Sequence, residues 1–327
     1  MVIFRRMSNY SNASQELLLA LSLQTLGQRV WANGLIAAFG FFALISNIVV
    51  LMVILKSKLL HTKCFFLIAA NSVVDALVGL AYAITGVKRI YRYNAGIGEV
   101  MTRWQCFCEV QFNALLQLLS LSMAAVLVAD RFVAIVRPIL YKQLSYKQLT
   151  VPLLSFSLVY SFSQYLANLY DSYGGSDKRT LFSCGIDDSL SDEMLTVQMM
   201  IQIGTSVIVV VMNIALAITV KVKQEKARVC SNNSRNDRED RVLKIITMTV
   251  IVHIFVYLAG RLCILIAPQF LDEIGQALTN RYIRDLSVLS AAMNGFFLLG
   301  TSSEYRLAVK KLSGCSENSV EAVPLAR

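Results

Sequence analysis

The sequence predicts an all-α membrane protein, a bundle of seven transmembrane helices followed by a short amphipathic eighth helix. Three observations carry that expectation. Of 327 residues, 56% are hydrophobic and only 16% charged, where a soluble domain carries about 25% charged residues. The apolar residues gather into seven runs, at 33–55, 64–87, 105–136, 150–170, 194–220, 242–267 and 283–300. Each approaches or passes the ~20 residues that cross a bilayer. The net charge of +10 is also one-sided. With the N-terminus outside, the basic excess falls in the inner loops and tail, as the positive-inside rule requires. Membrane topology thus accounts for the charge, and no nucleic-acid partner is expected; membrane lipid is. The expected organisation is an extracellular tail (1–32), the membrane domain (33–300), an inner-leaflet helix (301–313) and a cytoplasmic tail (314–327), set in the plasma membrane.

Each element follows from its residues. The outer tail holds two sequons, Asn9-Tyr10-Ser11 and Asn12-Ala13-Ser14, so Asn9 and Asn12 are expected to carry glycans. A third, at Asn232, falls in an inner loop and should stay bare. The run Leu17 to Leu21 is too short and too late for a signal peptide, which leaves the first span as signal anchor. That span contains Asn47, a residue expected to bond across to another helix. The second span contains Asp75, the acid nearest the middle of any span. An intramembrane carboxylate marks a functional site by default. Two readings stand: a protonated structural carboxyl bonded to Asn47 or Asn294, or a site coupled to water or sodium.

The third span opens at Trp104-Gln105-Cys106. Its Glu109, Asn113, Gln117 and Ser120 recur at i, i+4, i+8 and i+11, which keeps them on one face, toward the bundle interior. The outer members of this stripe line a cavity or serve as interhelical glue. The span ends in Asp130-Arg131, an acid–base pair that belongs at a membrane edge or in a protein interior. Pro138 then ends or kinks the helix. The fourth span lacks Trp. The loop from Asp171 to Glu193 is acidic, and its Cys184 lies on the oxidising side with Cys106 and Cys108. The fifth span places Gln198 and Gln202 one turn apart at its outer end. The inner loop Lys221–Arg241 reads as a solvated face or as an extension of its flanking helices. In the sixth span His253 reads as a bonded interior histidine, and Arg261 needs an anion or water: Glu109, Asp285 or an acidic ligand group. The seventh carries Ser290 and Asn294-Gly295, and no Lys. After it, Tyr305, Ala308, Val309 and Leu312 recur at i, i+3, i+4 and i+7, among Arg306, Lys310 and Lys311, as in a helix lying on the inner leaflet. Cys315 beyond it is a palmitoylation candidate or a plain free thiol.

The run Asp130-Arg131-Phe132-Val133-Ala134-Ile135-Val136-Arg137-Pro138-Ile139-Leu140-Tyr141 resembles the D-R-Y-x-A-I-x-x-P-x-x-Y signature of rhodopsin-like (class A) G-protein-coupled receptors. Phe132 replaces Tyr, Asn294-Gly295 replaces N-P, and the C-W-x-P box of the sixth span is absent. Ser302-Ser303-Glu304-Tyr305-Arg306 resembles the end of nematode serpentine receptors of the Srsx chemoreceptor class. The resemblance implies a receptor that binds an extracellular small molecule or peptide and activates a heterotrimeric G protein. It implies a switch at Asp130, Arg131 and Phe132, with Arg131 paired to Asp130 at rest. It implies a disulfide from Cys106 to Cys184, with Cys108 as the alternative partner of Cys184. It implies a sodium ion among Asp75, Ser120, Ser290 and Asn294, and no other cofactor. The ligand set is Glu109, Asn113, Gln117, Gln198, Gln202 and Arg261, rimmed by Tyr282 and Arg284. Asn113 stands where amine receptors of the family carry Asp, which argues against an amine.

Other classes fit less well. A transporter would show matched halves and more midspan charge. A ligand-gated channel of the insect-odorant kind would place the N-terminus inside, against the charge asymmetry. An enzyme would need a paired constellation, yet the histidines are His61 and His253 alone, with no H-E-x-x-H motif.

Overall fold

The computed structural model describes residues 26–95, 100–176, 179–181, 185–186, 189–230 and 302–312, with isolated positions between 262 and 300. Within these, six helices and a 3-10 turn build the membrane part. They are α1 (Leu26–Lys56), the turn Lys58–Leu60, α2 (Lys63–Asn94), α3 (Arg103–Val136), α4 (Pro138–Gln143), α5 (Tyr146–Gly174) and α6 (Asp192–Cys230). A last helix, α7, spans Ser303–Leu312. Helices α1, α2, α3, α5 and α6 contain the first five expected spans. The sixth span lies outside the described residues except at isolated positions, as do Asn9, Asn12, Cys184, His253, Arg261, Tyr282, Arg284, Ser290, Asn294 and Cys315.

Helix ends fall where the side chains can cap them. Thr102 and Gln105 form a reciprocal capping box at the start of α3, with bonds of 3.0 and 3.1 Å. Ser145 and Gln148 do the same for α5, at 2.8 and 3.2 Å. Pro138 stops α3 and opens α4 at its first position, where its missing N–H costs nothing. α6 continues to Cys230, so the Lys221–Arg241 segment starts as helix rather than as loop. At 39 residues α6 is about 58 Å long, well beyond a hydrocarbon core of about 30 Å.

Four of the described helices are long and apolar enough to cross a membrane: Val30–Lys56, Lys63–Asn94, Arg103–Val136 and Asp192–Val222. α5 has the length, 29 residues, but is not among them. The reason is a polar stripe, Thr150, Ser157, Ser161, Gln164, Asn168 and Ser172, all buried. Its apolar residues Phe156, Val159, Phe162 and Leu166 point outward. The same inversion holds in α1 and α6, where Phe41, Ile45, Ile208 and Val211 are exposed while Asn47 and Gln198 are buried. In water such a surface would aggregate; in lipid it is the solvated face.

α1 and α2 pack almost backbone to backbone. A Cβ on Gly79 would stand 2.6 Å from the Gly40 carbonyl and the Leu44 amide. Small residues permit this approach, the usual basis of helix pairing in lipid. Val288, Ala291 and Ala292 of the seventh span join Ile36, Ala43, Val78, Tyr82 and Leu116 in one buried cluster. Tyr305 and Ala308 of α7 pack under Val50, Val53, Ile54 and Leu60, at the Lys58–Leu60 end of α1 and α2. At the other end, strand β1 (Val100–Thr102) pairs antiparallel with β2 (Arg179–Leu181), Met101 opposite Thr180. This ribbon ties the start of α3 to the loop after α5.

Candidate functional site: a polar axis along the third helix

The polar stripe of α3 is engaged rung by rung with α2. Outermost, Glu109 pairs with Lys88 at 2.7 Å and Arg92 at 2.8 Å. Next, Asn113 donates to Thr85 Oγ1 at 3.0 Å. Gln117 then donates to the Tyr82 hydroxyl. Innermost, Ser120 donates to Asp75 Oδ1 at 2.7 Å. The α2 partners recur with the helical period of α2 itself, a signal present in the sequence but not used in reading it. Glu109 therefore already has two cations, and Arg261 is not needed to neutralise it.

Asp75 is 1% exposed and also accepts from Asn71 Nδ2 at 2.7 Å. Asn47 is not its partner: the Asn47 amide donates to the carbonyls of Ala43 and Ala291, both at 2.9 Å. Asn47 thus ties α1 to the seventh span. The carboxylate of Asp75 sits where α2 and α3 meet, with Ala291 of the seventh span in the adjoining cluster. Ser290 and Asn294, the other expected sodium ligands, are outside the described residues.

At the inner end of α3, Asp130 is fully buried and accepts from the Tyr141 hydroxyl at 3.2 and 3.5 Å. Burial first, then the Asp130 carboxylate, holds the Tyr141 hydroxyl protonated well above its ordinary range. Lys63, at the start of α2, donates to the carbonyls of Tyr141, at 2.8 Å, and Leu144, and stands 5.1 Å over the Tyr141 ring. Arg131 is exposed, and among the described residues no ion pair joins it to Asp130. Arg131 acts on Asp130 as a neighbouring positive charge, and the hydrogen bond to the buried carboxylate comes from Tyr141, because α4 turns back under α3. Phe132 packs with Ile135 against Leu216 and Val220 of α6. The sequence reading missed Lys63 and the bond from Tyr141, although Tyr141 closes the motif run.

At the outer end Cys106 is disulfide-bonded, and Cys108 is free. The Gly185 carbonyl, next after Cys184, is 3.5 Å from Cys106 Sγ. Gln198 and Gln202 of α6 are buried, at 5% and 7% exposure.

Compared with known proteins, residues 40–313 match the family model described as the serpentine-type 7TM GPCR chemoreceptor Srsx. A human protein named, provisionally, olfactory receptor 10D4 is 27% identical over 135 residues. The match covers 41% of this chain, which thereby spans 44% of that protein's length.

Proposed function

The chain belongs to the serpentine seven-transmembrane chemoreceptor family Srsx, and from that premise we propose that it binds an extracellular small molecule or peptide and activates a heterotrimeric G protein through Arg131. It is a multi-pass membrane protein of a receptor family. We infer that it lies in the plasma membrane with its N-terminus outside and its C-terminus inside. The observation that carries the reading is the inner end of α3. Asp130 is satisfied by Tyr141, so Arg131 stays exposed at the face a cytoplasmic partner would meet.

A ligand acts by binding the active arrangement better than the resting one. It enters between the outer ends of the third, fifth, sixth and seventh spans, where Glu109, Asn113, Gln117, Gln198, Gln202 and Arg261 supply the polar contacts. Because the first four rungs of α3 are bonded to α2, ligand contact there exchanges one hydrogen bond for another, which couples the cavity to the α2–α3 packing. Cys106 bridges to Cys184 and fixes the outer loop over the cavity. Asp75, Ser120, Ser290 and Asn294 would hold a sodium ion, whose positive charge would offset the buried Asp75 carboxylate and favour the resting state. Replacing sodium with choline then raises basal exchange in wild type and leaves Asp75→Asn unchanged; equal responses in the two exclude the ion site.

The deciding experiment is nucleotide exchange on a panel of G-protein α subunits, in membranes carrying the receptor and odorant or peptide mixtures. Exchange above background that Arg131→Ala reduces at least tenfold is the expected outcome. Exchange that survives Arg131→Ala at full rate rules out the proposed role.

A further inference from the structure

Helices α5 and α6 run antiparallel and are pinned together at two heights. At the outer end the Asp171 carboxylate accepts from the Ser191 amide at 2.6 Å and the Ser191 hydroxyl at 2.5 Å. Lower down, the hydroxyls of Tyr160 and Thr205 are 2.7 Å apart. On α5, Tyr160, Gln164, Asn168 and Asp171 fall at i, i+4, i+8 and i+11, on one face. On α6, Gln198 and Thr205 are seven residues apart with Gln202 between, again on one face. Four carboxamides therefore sit between the two pins. All are buried, from Asn168 at 1% to Gln164 at 9% exposure.

None of the four makes a side-chain hydrogen bond. Gln164 Oε1, Asn168 Oδ1, Asn168 Nδ2 and Gln198 Oε1 are shut away from solvent without a partner. Nearby side chains of the same helix do find partners: Ser157 and Ser161 bond Ser122 of α3 at 2.5 and 3.1 Å. Tyr165, next to Gln164 on α5, donates to Gln111 of α3 at 2.7 Å. The rings of Tyr165 and Phe107, 6.0 Å apart, add an apolar contact there.

Buried amides without partners are rare and each demands an explanation. The chemistry of this group is specific. Carboxamides donate and accept but carry no charge, and Asp171, three residues past Asn168, is already engaged by Ser191. An ion placed here would lack a counter-charge and lose its hydration. Three of the orphaned atoms are acceptors and one is a donor, so a neutral group that both donates and accepts, a hydroxyl or a primary amide, satisfies part of the set without bringing charge.

We propose that Gln164, Asn168, Gln198 and Gln202, at the junction of α3, α5 and α6, form a subsite for the hydroxyl or amide group of an uncharged ligand. This rests on reading the chain as a ligand-binding receptor, and it narrows the ligand from any odorant or peptide to a neutral alcohol or amide with an apolar body. It also adds α5, through Gln164 and Asn168, to a cavity otherwise drawn from the third, fifth, sixth and seventh spans.

The test is saturation-transfer NMR on the full-length receptor in lipid nanodiscs, with hexan-1-ol and hexanamide as neutral probes and hexanoate and hexylamine as charged ones. Saturable transfer to a neutral probe is expected, with affinity at least tenfold lower in Asn168→Leu and in Gln198→Leu and little transfer to the charged probes. Gln202→Asn keeps the carboxamide but shortens its reach, so an intermediate loss in that variant reports on the contact even if a leucine variant misfolds. Absence of saturable transfer to either neutral probe, as when water alone satisfies the amides, overturns the proposal. So does undiminished affinity across the three variants, or binding of hexanoate or hexylamine as tight as that of the alcohol. No G protein is present in the measurement, so its failure is separate from any failure of coupling through Arg131.

Discussion

Ser120 and Glu109 stand on the same stripe of α3 and each meets an ionisable partner on α2, yet they should differ in energetic weight. Ser120 donates to a carboxylate that is 1% exposed, and Glu109 pairs with Lys88 and Arg92 where the side chains remain 24–46% exposed. Removing one partner of a buried hydrogen bond leaves the other unsatisfied at a cost of about 1–3 kcal/mol. A partly exposed ion pair contributes about 0.2–1 kcal/mol, screened further by salt. Ser120→Ala is therefore expected to destabilise the receptor more than Glu109→Gln, with the gap widening in high salt as the ion pair fades. Thermal unfolding of the two variants at low and high salt checks the order; a reversed order would show that the Glu109 cluster is less hydrated than its exposure indicates. The stripe itself was legible in the sequence, since a period of 3.6 fixes a face. Its partners were not, because pairing depends on which helix packs opposite and at what height. Tyr141 illustrates the same limit. Nothing in linear order says that a residue eleven positions past Asp130 folds back to bond it.

Between elements, the tightest constraint is the α1–α2 contact. Any side chain at Gly79 meets backbone atoms of α1 at 2.6 Å, and backbone cannot rotate away. Gly79→Leu must separate the helices, and with them the Asn47–Ala291 tie to the seventh span. We expect a loss of about 3 kcal/mol or more and little protein at the surface, at the severe end for single substitutions. Gly34 of α1 has open space around its missing Cβ. Gly34→Ala should be neutral or stabilising by about 0.5–1 kcal/mol, from lower chain entropy alone. Unfolding temperatures and surface labelling of the pair check this contrast. The glycines were visible in the sequence, but which of them lie at the contact was not. α5 makes a related point. Its serines dilute the apolar signal of the fourth span, and only packing shows that Ser157 and Ser161 turn inward to Ser122 of α3 while Ser155 and Ser163 stay exposed.

For the molecule as a whole, the two ends of the bundle differ in chemistry. Lys63 and α7 lie at one end, with the exposed Arg131, while the β1–β2 ribbon and the Cys106 disulfide lie at the other. Disulfides persist on the oxidising side, so the ribbon end should be extracellular. Glycosidase treatment of receptor from a eukaryotic host is expected to shift its mobility, and Asn9→Gln with Asn12→Gln together to abolish the shift. A shift that persists in the double variant, traced to Asn232, would invert the topology.

The sequence by itself determined the membrane class, the order of the first five apolar runs and the Asp130-Arg131 dipeptide that closes the third helix. All of these depend on local composition and on the cost of placing charge in hydrocarbon. Only the tertiary structure decided the partners. Asp130 takes Tyr141, Glu109 takes Lys88 and Arg92, Asn47 takes the Ala291 carbonyl, and carboxamides of α5 and α6 are buried without hydrogen-bond partners. Those outcomes depend on distances between helices, and no spacing along one chain segment encodes them.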